Sequence, residues 1–188
     1  ILKEIPEIKL EIDACFLSNP YATDLFLEHL DQDLVRTGKL RDVLEYYPPQ
    51  NRDVGKHISR AINVSPENIF VGNGAIEVIQ AVLHSFVGGK LCVIIPTFSS
   101  YYEFVMPGTE VVFYKLKKES TFRFDAEDYL SFIRDNKVDS AVIINPNNPD
   151  GGYINRETLE HLLRNMGGLA NVILDESFVD FAYEDEAL

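Results

Sequence analysis

The sequence is poor in cysteine: Cys15 and Cys92 are its only two, too far apart for a CxxC redox or metal pair. Cys92 lies in the apolar run LCVII, where a buried thiol is ordinary, and this favours a reducing, cytoplasmic setting. Basic residues are scarce too, with 17 Lys and Arg against 30 Asp and Glu for a formal net charge of -13. That charge argues against nucleic acid as a partner, and an anionic small ligand would need a local trap. No apolar run approaches the roughly 20 residues that span a bilayer, and the start lacks a charged segment followed by an apolar one. Membrane insertion and secretion therefore have no support. The four histidines, His29, His57, His84 and His161, show no HExxH or similar spacing, so no metal site is expected.

What is present suits a folded α/β domain. A length of 188 residues with 46% hydrophobic content is enough for one core, or one and a fraction. Residues 1 to about 22 read as an arm ending in the turn Asn19-Pro20. From Thr23, the spacing of Leu25, Phe26, Leu30 and Leu34 predicts a helix running to Gly38, before Pro48 and Pro49 break the pattern. A further amphipathic helix follows over residues 52–61. Another starts at about Gly74, where Ile76, Ile79, Val82, Leu83 and Phe86 share one face and Gly88-Gly89 marks the stop.

Beyond Gly89 the chain alternates. Strands are predicted at 91–95, 111–114, 141–145 and 172–175, with helices around 99–105, 125–136 and 155–166. Short β-branched runs separated by helices imply a mostly parallel sheet flanked by helices on both faces. Glycine and proline recur where strands pass into helices, at the edge where such sheets bind ligands.

Four of these joins carry candidate chemistry. In GNGAIE, Gly72 and Gly74 permit a tight turn, so the amides of Gly74, Ala75 and Ile76 can point at one anion. An ordinary loop is an equally open reading, since Glu77 replaces the third glycine of a dinucleotide fingerprint and the Gly-Lys-Ser/Thr of a P-loop is missing. In PTFSSYY, Phe98 and Tyr101 follow a strand end, where an aromatic face can cover a planar ring or simply fill core. NPNNPDGG must turn sharply at its prolines, and LDES brings Asp175 to the same edge, where a buried carboxylate needs a donor or cation. A phosphorylated, planar, nitrogen-bearing ring would use an anion cradle, an aromatic face, an amide and a carboxylate together.

The motifs GNGAIE, PTFSSYY, NPNNPDG and LDESFVDF, in that order, resemble those of fold-type I pyridoxal-phosphate enzymes in the class I/II aminotransferase family. The likeness is greatest to the branch of histidinol-phosphate aminotransferases and threonine-phosphate decarboxylases. The resemblance implies pyridoxal 5'-phosphate as cofactor and residues 46–188 as part of the large cofactor-binding domain, with 1–45 an N-terminal arm and helix. It also implies roles. Gly74, Ala75 and Ile76 would hold the phosphate, Phe98 would stack on the ring, Asn148 would bond the phenolic oxygen, and Asp175 would keep the ring nitrogen protonated. Phe178 stands where many aminotransferases place a tyrosine. Tyr47 matches a tyrosine sent into the other subunit's site, which implies a homodimer. Asn19 and Tyr101 would lie near the substrate, and the partners would be a small-molecule amino donor and acceptor.

The family's Schiff-base lysine follows this aspartate by a few tens of residues, yet no lysine follows Lys137 here. That residue is both covalent anchor and proton carrier. The expectation is therefore the amino-terminal portion of a longer enzyme, inactive by itself. Aminotransfer is the leading reaction, decarboxylation of an amino-acid phosphate the alternative, and a lysine-free module that binds a phosphate ligand without chemistry the reading from another class.

Overall fold

The computed structural model describes residues 19–182. Cys15, the arm before Asn19 and the acidic ending after Ala182 lie outside them. The chain forms two compact units that divide between Val54 and Gly55.

In the first unit, helix α1 (Pro20–His29) begins at an Asn19 cap whose side-chain oxygen accepts the Ala22 N–H at 3.0 Å. Proline is well placed in that first turn because its missing N–H would have had no partner there. The predicted helix to Gly38 does not continue as an α-helix. It widens into a π-helical stretch, Leu30–Val35, and reverses at Gly38, which takes φ 77°. A further helix, α2 (Lys39–Glu45), follows before the prolines. Its seven residues are too few for periodicity to reveal, and an Arg41–Glu45 ion pair at 3.0 Å spans one turn of it. Leu25, Phe26, Val43, Leu44, Tyr46 and Tyr47 are exposed.

Helix α3 (Asn51–Ile62) crosses the division. In the second unit its buried Gly55 lies against Ile69 and Val71, which are half-buried outside any strand. Next come α4 (Ala75–Phe86), β1 (Lys90–Ile95), the single turn α5 (Ser100–Glu103), β2 (Glu110–Lys115), α6 (Ala126–Asp135), β3 (Ser140–Ile144), α7 (Arg156–Asn165) and β4 (Asn171–Asp175). Asp125 caps α6 through the amides of Glu127 and Asp128, and Asn155 caps α7 through that of Thr158.

The four strands are parallel in the order β2-β1-β3-β4. Period two sorts their side chains. Cys92, Ile94, Ala141 and Ile143 join one core with Tyr129, Leu130 and Ile133 of α6 and Leu159 and Leu162 of α7. Leu91, Val93, Val142 and Ile144 join a second core on the opposite face with Ile79 and Leu83 of α4 and Tyr101 of α5. Full burial of each such aliphatic side chain stabilises the fold by about 1.5–3 kcal/mol relative to exposure. The parallel sheet with helices on both faces is thus as its pattern implies. Burial also pushes the Cys92 thiol up to about 11, which leaves it protonated and inert. Among the described residues no helix is long and apolar enough to cross a membrane.

From β1 the chain goes to β2 on one side, and β3 lies on the other. The carboxyl ends of β1 and β3 therefore form the topological switch point, the crevice in which open α/β sheets bind ligands.

Candidate active site

Helix α4 has 12 residues, about 18 Å, and β1 has 6, about 20 Å. A short connector joins them, so α4 packs back along the strand and its start returns to the level of the carboxyl edge. Gly74 precedes the helix at φ 85° and ψ 169°, a conformation only glycine adopts readily. The first helical bond is from Val78 N–H to Gly74 C=O, which leaves the amides of Ala75, Ile76 and Glu77 without helical acceptors. Glu77 folds back to accept the Asn73 N–H and so braces the turn. Gly72 is needed for close approach, because a Cβ there would come within 2.9 Å of Val78. Of the amides expected to hold an anion, those of Ala75 and Ile76 are among the ones without helical acceptors.

Phe98 follows β1 and is half-buried on the second core. Beside it, Thr97 Oγ1 donates to Asn147 Oδ1 at 2.9 Å and joins the loop after β1 to the loop after β3. The three asparagines of that second loop have different duties. Asn145 is buried and makes two bonds to the Ile154 backbone, giving its amide to the carbonyl at 2.9 Å and accepting the N–H at 2.8 Å. Asn147 also donates to Pro96 C=O and Asp150 Oδ1. Asn148 is half-buried, and among the described residues its side chain makes no hydrogen bond. The side chains of Asn145 and Asn147 are thus committed to bonds within the protein, whereas that of Asn148 is not.

Asp175 ends β4 in register with Ile144, and its carbonyl accepts the Asn145 N–H at 2.8 Å. Its carboxylate is held from two sides. Oδ1 takes the Ser177 N–H at 2.8 Å and the Ser177 hydroxyl, and Oδ2 takes the Tyr101 hydroxyl at 2.7 Å. Tyr101, expected near the substrate, is only 4% exposed and gives its hydroxyl to Asp175. Burial, reinforced by Asp175, pushes the Tyr101 phenol far above its usual range, so it stays a donor. Glu176 is also held above the carboxylate range, first by burial and then by the Asp175 charge.

Gly74, Ala75, Ile76, Phe98, Asn148, Asp175 and Phe178 all belong to the second unit, and Asn19 and Tyr47 to the first. Phe178 is half-buried, 6.3 Å from Phe181 between ring centres, and carries no hydroxyl to offer. Asn19 commits its side-chain oxygen to capping α1, while Tyr47 is fully exposed. Among the described residues no group of three or more His, Cys, Asp or Glu is arranged to hold a metal ion. Ser177 and the Thr97–Asn147 bond are contributions that the motif reading missed. The Asp-x-Ser spacing of an Asx-turn does signal the first of them.

A fold of this kind, with an anion cradle, an aromatic, an unspent amide and a braced carboxylate at one sheet edge, belongs to a defined class of protein. The profile of the family described as "Aminotransferase class I and II" matches residues 17–188, and the chain belongs to that family. The family's cofactor is pyridoxal 5'-phosphate. The sequence is 54% identical to the L-serine phosphate decarboxylase of Campylobacter jejuni over 98% of this chain and 47% of that protein. It is 47% identical to the enzyme of the same name from Sulfurospirillum multivorans, over 99% of this chain and 47% of that one. A solved decarboxylase structure from Sulfurospirillum multivorans superposes with a TM-score of 0.87 at 46% identity, covering 98% of this chain and 47% of the other. Histidinol-phosphate aminotransferases and threonine-phosphate decarboxylases also match, so the branch named from the motifs is represented. The chain spans about half the length of the curated relatives it matches. The order of the two reactions has to be corrected: these relatives favour decarboxylation over the amino-group transfer placed first.

Proposed function

We propose that the complete protein is a pyridoxal-phosphate-dependent decarboxylase of a phosphorylated amino acid, with O-phospho-L-serine as substrate. The observation that carries this reading is the 54% identity to an L-serine phosphate decarboxylase across 98% of the chain. The site residues fit the cofactor: the cradle has free amides, Asn148 has a free side chain, and Asp175 is braced but not saturated. When bound, pyridoxal phosphate supplies an electron sink for the pair released at the substrate's α-carbon.

The chain's own residues then have separate tasks. The amides of Ala75 and Ile76, at the positive end of α4, hold the phosphate. Phe98 covers one face of the ring and excludes water from it. Asn148 donates its side-chain N–H to the phenolic oxygen, and Phe178 offers no second donor there. Asp175 would pair with the protonated ring nitrogen and so support the ring as an electron sink. Tyr47 would reach the phosphate of the partner site in a homodimer.

The test is to incubate the complete protein with O-phospho-L-serine and pyridoxal phosphate, and to measure carbon dioxide and phosphoethanolamine. Their formation in equal amounts is expected. Formation of a keto acid dependent on an added keto acceptor would support aminotransfer, the reaction of the histidinol-phosphate relatives. Tight binding of the phosphate ligand with no turnover of any amino acid would favour the binding module.

A further inference from the structure

Tyr101 fills core space that a phenylalanine ring would fill equally well. It packs among Ile79, Leu83, Leu91 and Val93, between α5, α4 and β1. Its hydroxyl is therefore not needed for packing, and burying a hydroxyl without a partner costs free energy. The partner present is Asp175, at 2.7 Å.

A carboxylate has about four acceptor positions, two on each oxygen. The two donors from Ser177 occupy both positions on Oδ1. Tyr101 occupies one on Oδ2, so a single acceptor position remains, on the same oxygen that Tyr101 holds. Any N–H presented to Asp175 from the crevice must be received there. We infer that Tyr101 is a positioning residue for the reaction: its phenol fixes the oxygen of Asp175 that receives the ring nitrogen and supplies that carboxylate with a donor. The inference rests on the cofactor reading given above.

The sign of the effect follows from charge. A donor favours the ionised form of a carboxylate that it touches, so removing the phenol is expected to raise the pH at which pairing with the ring nitrogen is lost. A neutral acid no longer pairs with a protonated ring nitrogen. The titratable groups coupled to Asp175 among the described residues are Tyr101 from α5 and Glu176 from its own segment. Glu176→Gln in every sample therefore removes the second acid-side titration.

The test uses the complete protein and pyridoxine 5'-phosphate, which lacks the aldehyde and binds without a covalent bond. Its affinity is measured by calorimetry from about pH 4.5 to 8, a range that brackets carboxylate titration. Three side chains are compared at position 101: tyrosine, phenylalanine (Tyr101→Phe) and 3-fluorotyrosine, whose more acidic phenol donates more strongly. The ligand's own titrations are common to all three curves. In the phenylalanine variant the acid-side midpoint is expected to rise by about one pH unit, which lowers affinity about tenfold on that limb. In the fluorotyrosine variant it is expected to fall. A midpoint common to all three, whatever the change in plateau, overturns the inference and leaves Tyr101 a core residue. If Tyr101→Phe does not fold, an unshifted fluorotyrosine midpoint is sufficient to overturn it. Absence of binding by the tyrosine form defeats the cofactor reading, and this inference with it.

Discussion

Thr97 and Asn147 stand fifty positions apart in sequence and meet through a 2.9 Å hydrogen bond from hydroxyl to side-chain carbonyl. The bond lies directly across the switch point between β1 and β3. Each residue immediately precedes a candidate cofactor contact, Phe98 in one loop and Asn148 in the other. The clamp thus sets the spacing of an aromatic face and an amide that no backbone ladder connects.

The division of labour among the asparagines has a direct test. Asn147→Ala should cost about 1–3 kcal/mol of stability, because it strips bonds from Thr97, Pro96 and Asp150. Asn148→Ala should leave stability within about 0.5 kcal/mol, since no partner is lost, while weakening cofactor affinity. Urea unfolding and cofactor titration of the two variants side by side check the contrast. Equal losses of stability would mean that Asn148 is structural as well.

Gly74 is the second point of leverage. At φ 85° and ψ 169° any side chain is strained, so Gly74→Ala should destabilise the protein by about 1–3 kcal/mol although open space surrounds the position. Relief of that strain would rotate the first amides of α4. Phosphate-bearing ligands should lose more affinity than the same ligands without phosphate, as read by calorimetry.

Glu176 offers a pH-dependent outcome. Burial, and then the charge of Asp175, hold its carboxyl above the ordinary 4.5. A carboxyl with a raised folded value favours folding while protonated, so its contribution is complete below about pH 4.5 and is lost as pH rises through the raised value. Glu176→Gln should therefore raise the melting temperature near pH 7 and leave it unchanged below about pH 4.5. A uniform shift at all pH values would assign the effect to something other than ionisation.

The core below the crevice sets the scale for these effects. Leu162 of α7 is fully buried against the sheet, and Leu162→Ala should cost about 2–5 kcal/mol by denaturant unfolding. A cost under about 1 kcal/mol would mean that the α7 face of the sheet packs more loosely than its burial implies.

The alternation of β-branched runs with helices made the parallel sheet legible, because period two and period 3.6 leave different patterns. Glycine and proline at the joins made the location of the site legible. Less visible was how the site is braced. The Thr97–Asn147, Tyr101–Asp175 and Asn145–Ile154 bonds join residues 9 to 74 positions apart, and local pattern carries no trace of such pairings. Tyr101 shows the limit well: its place just after a strand left a ring contact and core packing both open, and nothing there signalled that its hydroxyl supports another side chain. The break of the first helix into a π-helical stretch and a short second helix was hidden for the opposite reason, because Leu25 to Leu34 keep their spacing through the change.

At the switch point between β1 and β3, two loops begin on neighbouring strands and leave in divergent directions, and the side chain of Asn147 spans the gap between them, bonded to the Thr97 hydroxyl and the Pro96 carbonyl. Either loop can lengthen, shorten or exchange residues downstream of those bonds without shifting a strand or moving the partner loop. Natural variation can thus recast what the crevice accepts while the sheet beneath inherits its packing intact, which gives one scaffold room to serve relatives that act on different phosphorylated amino compounds.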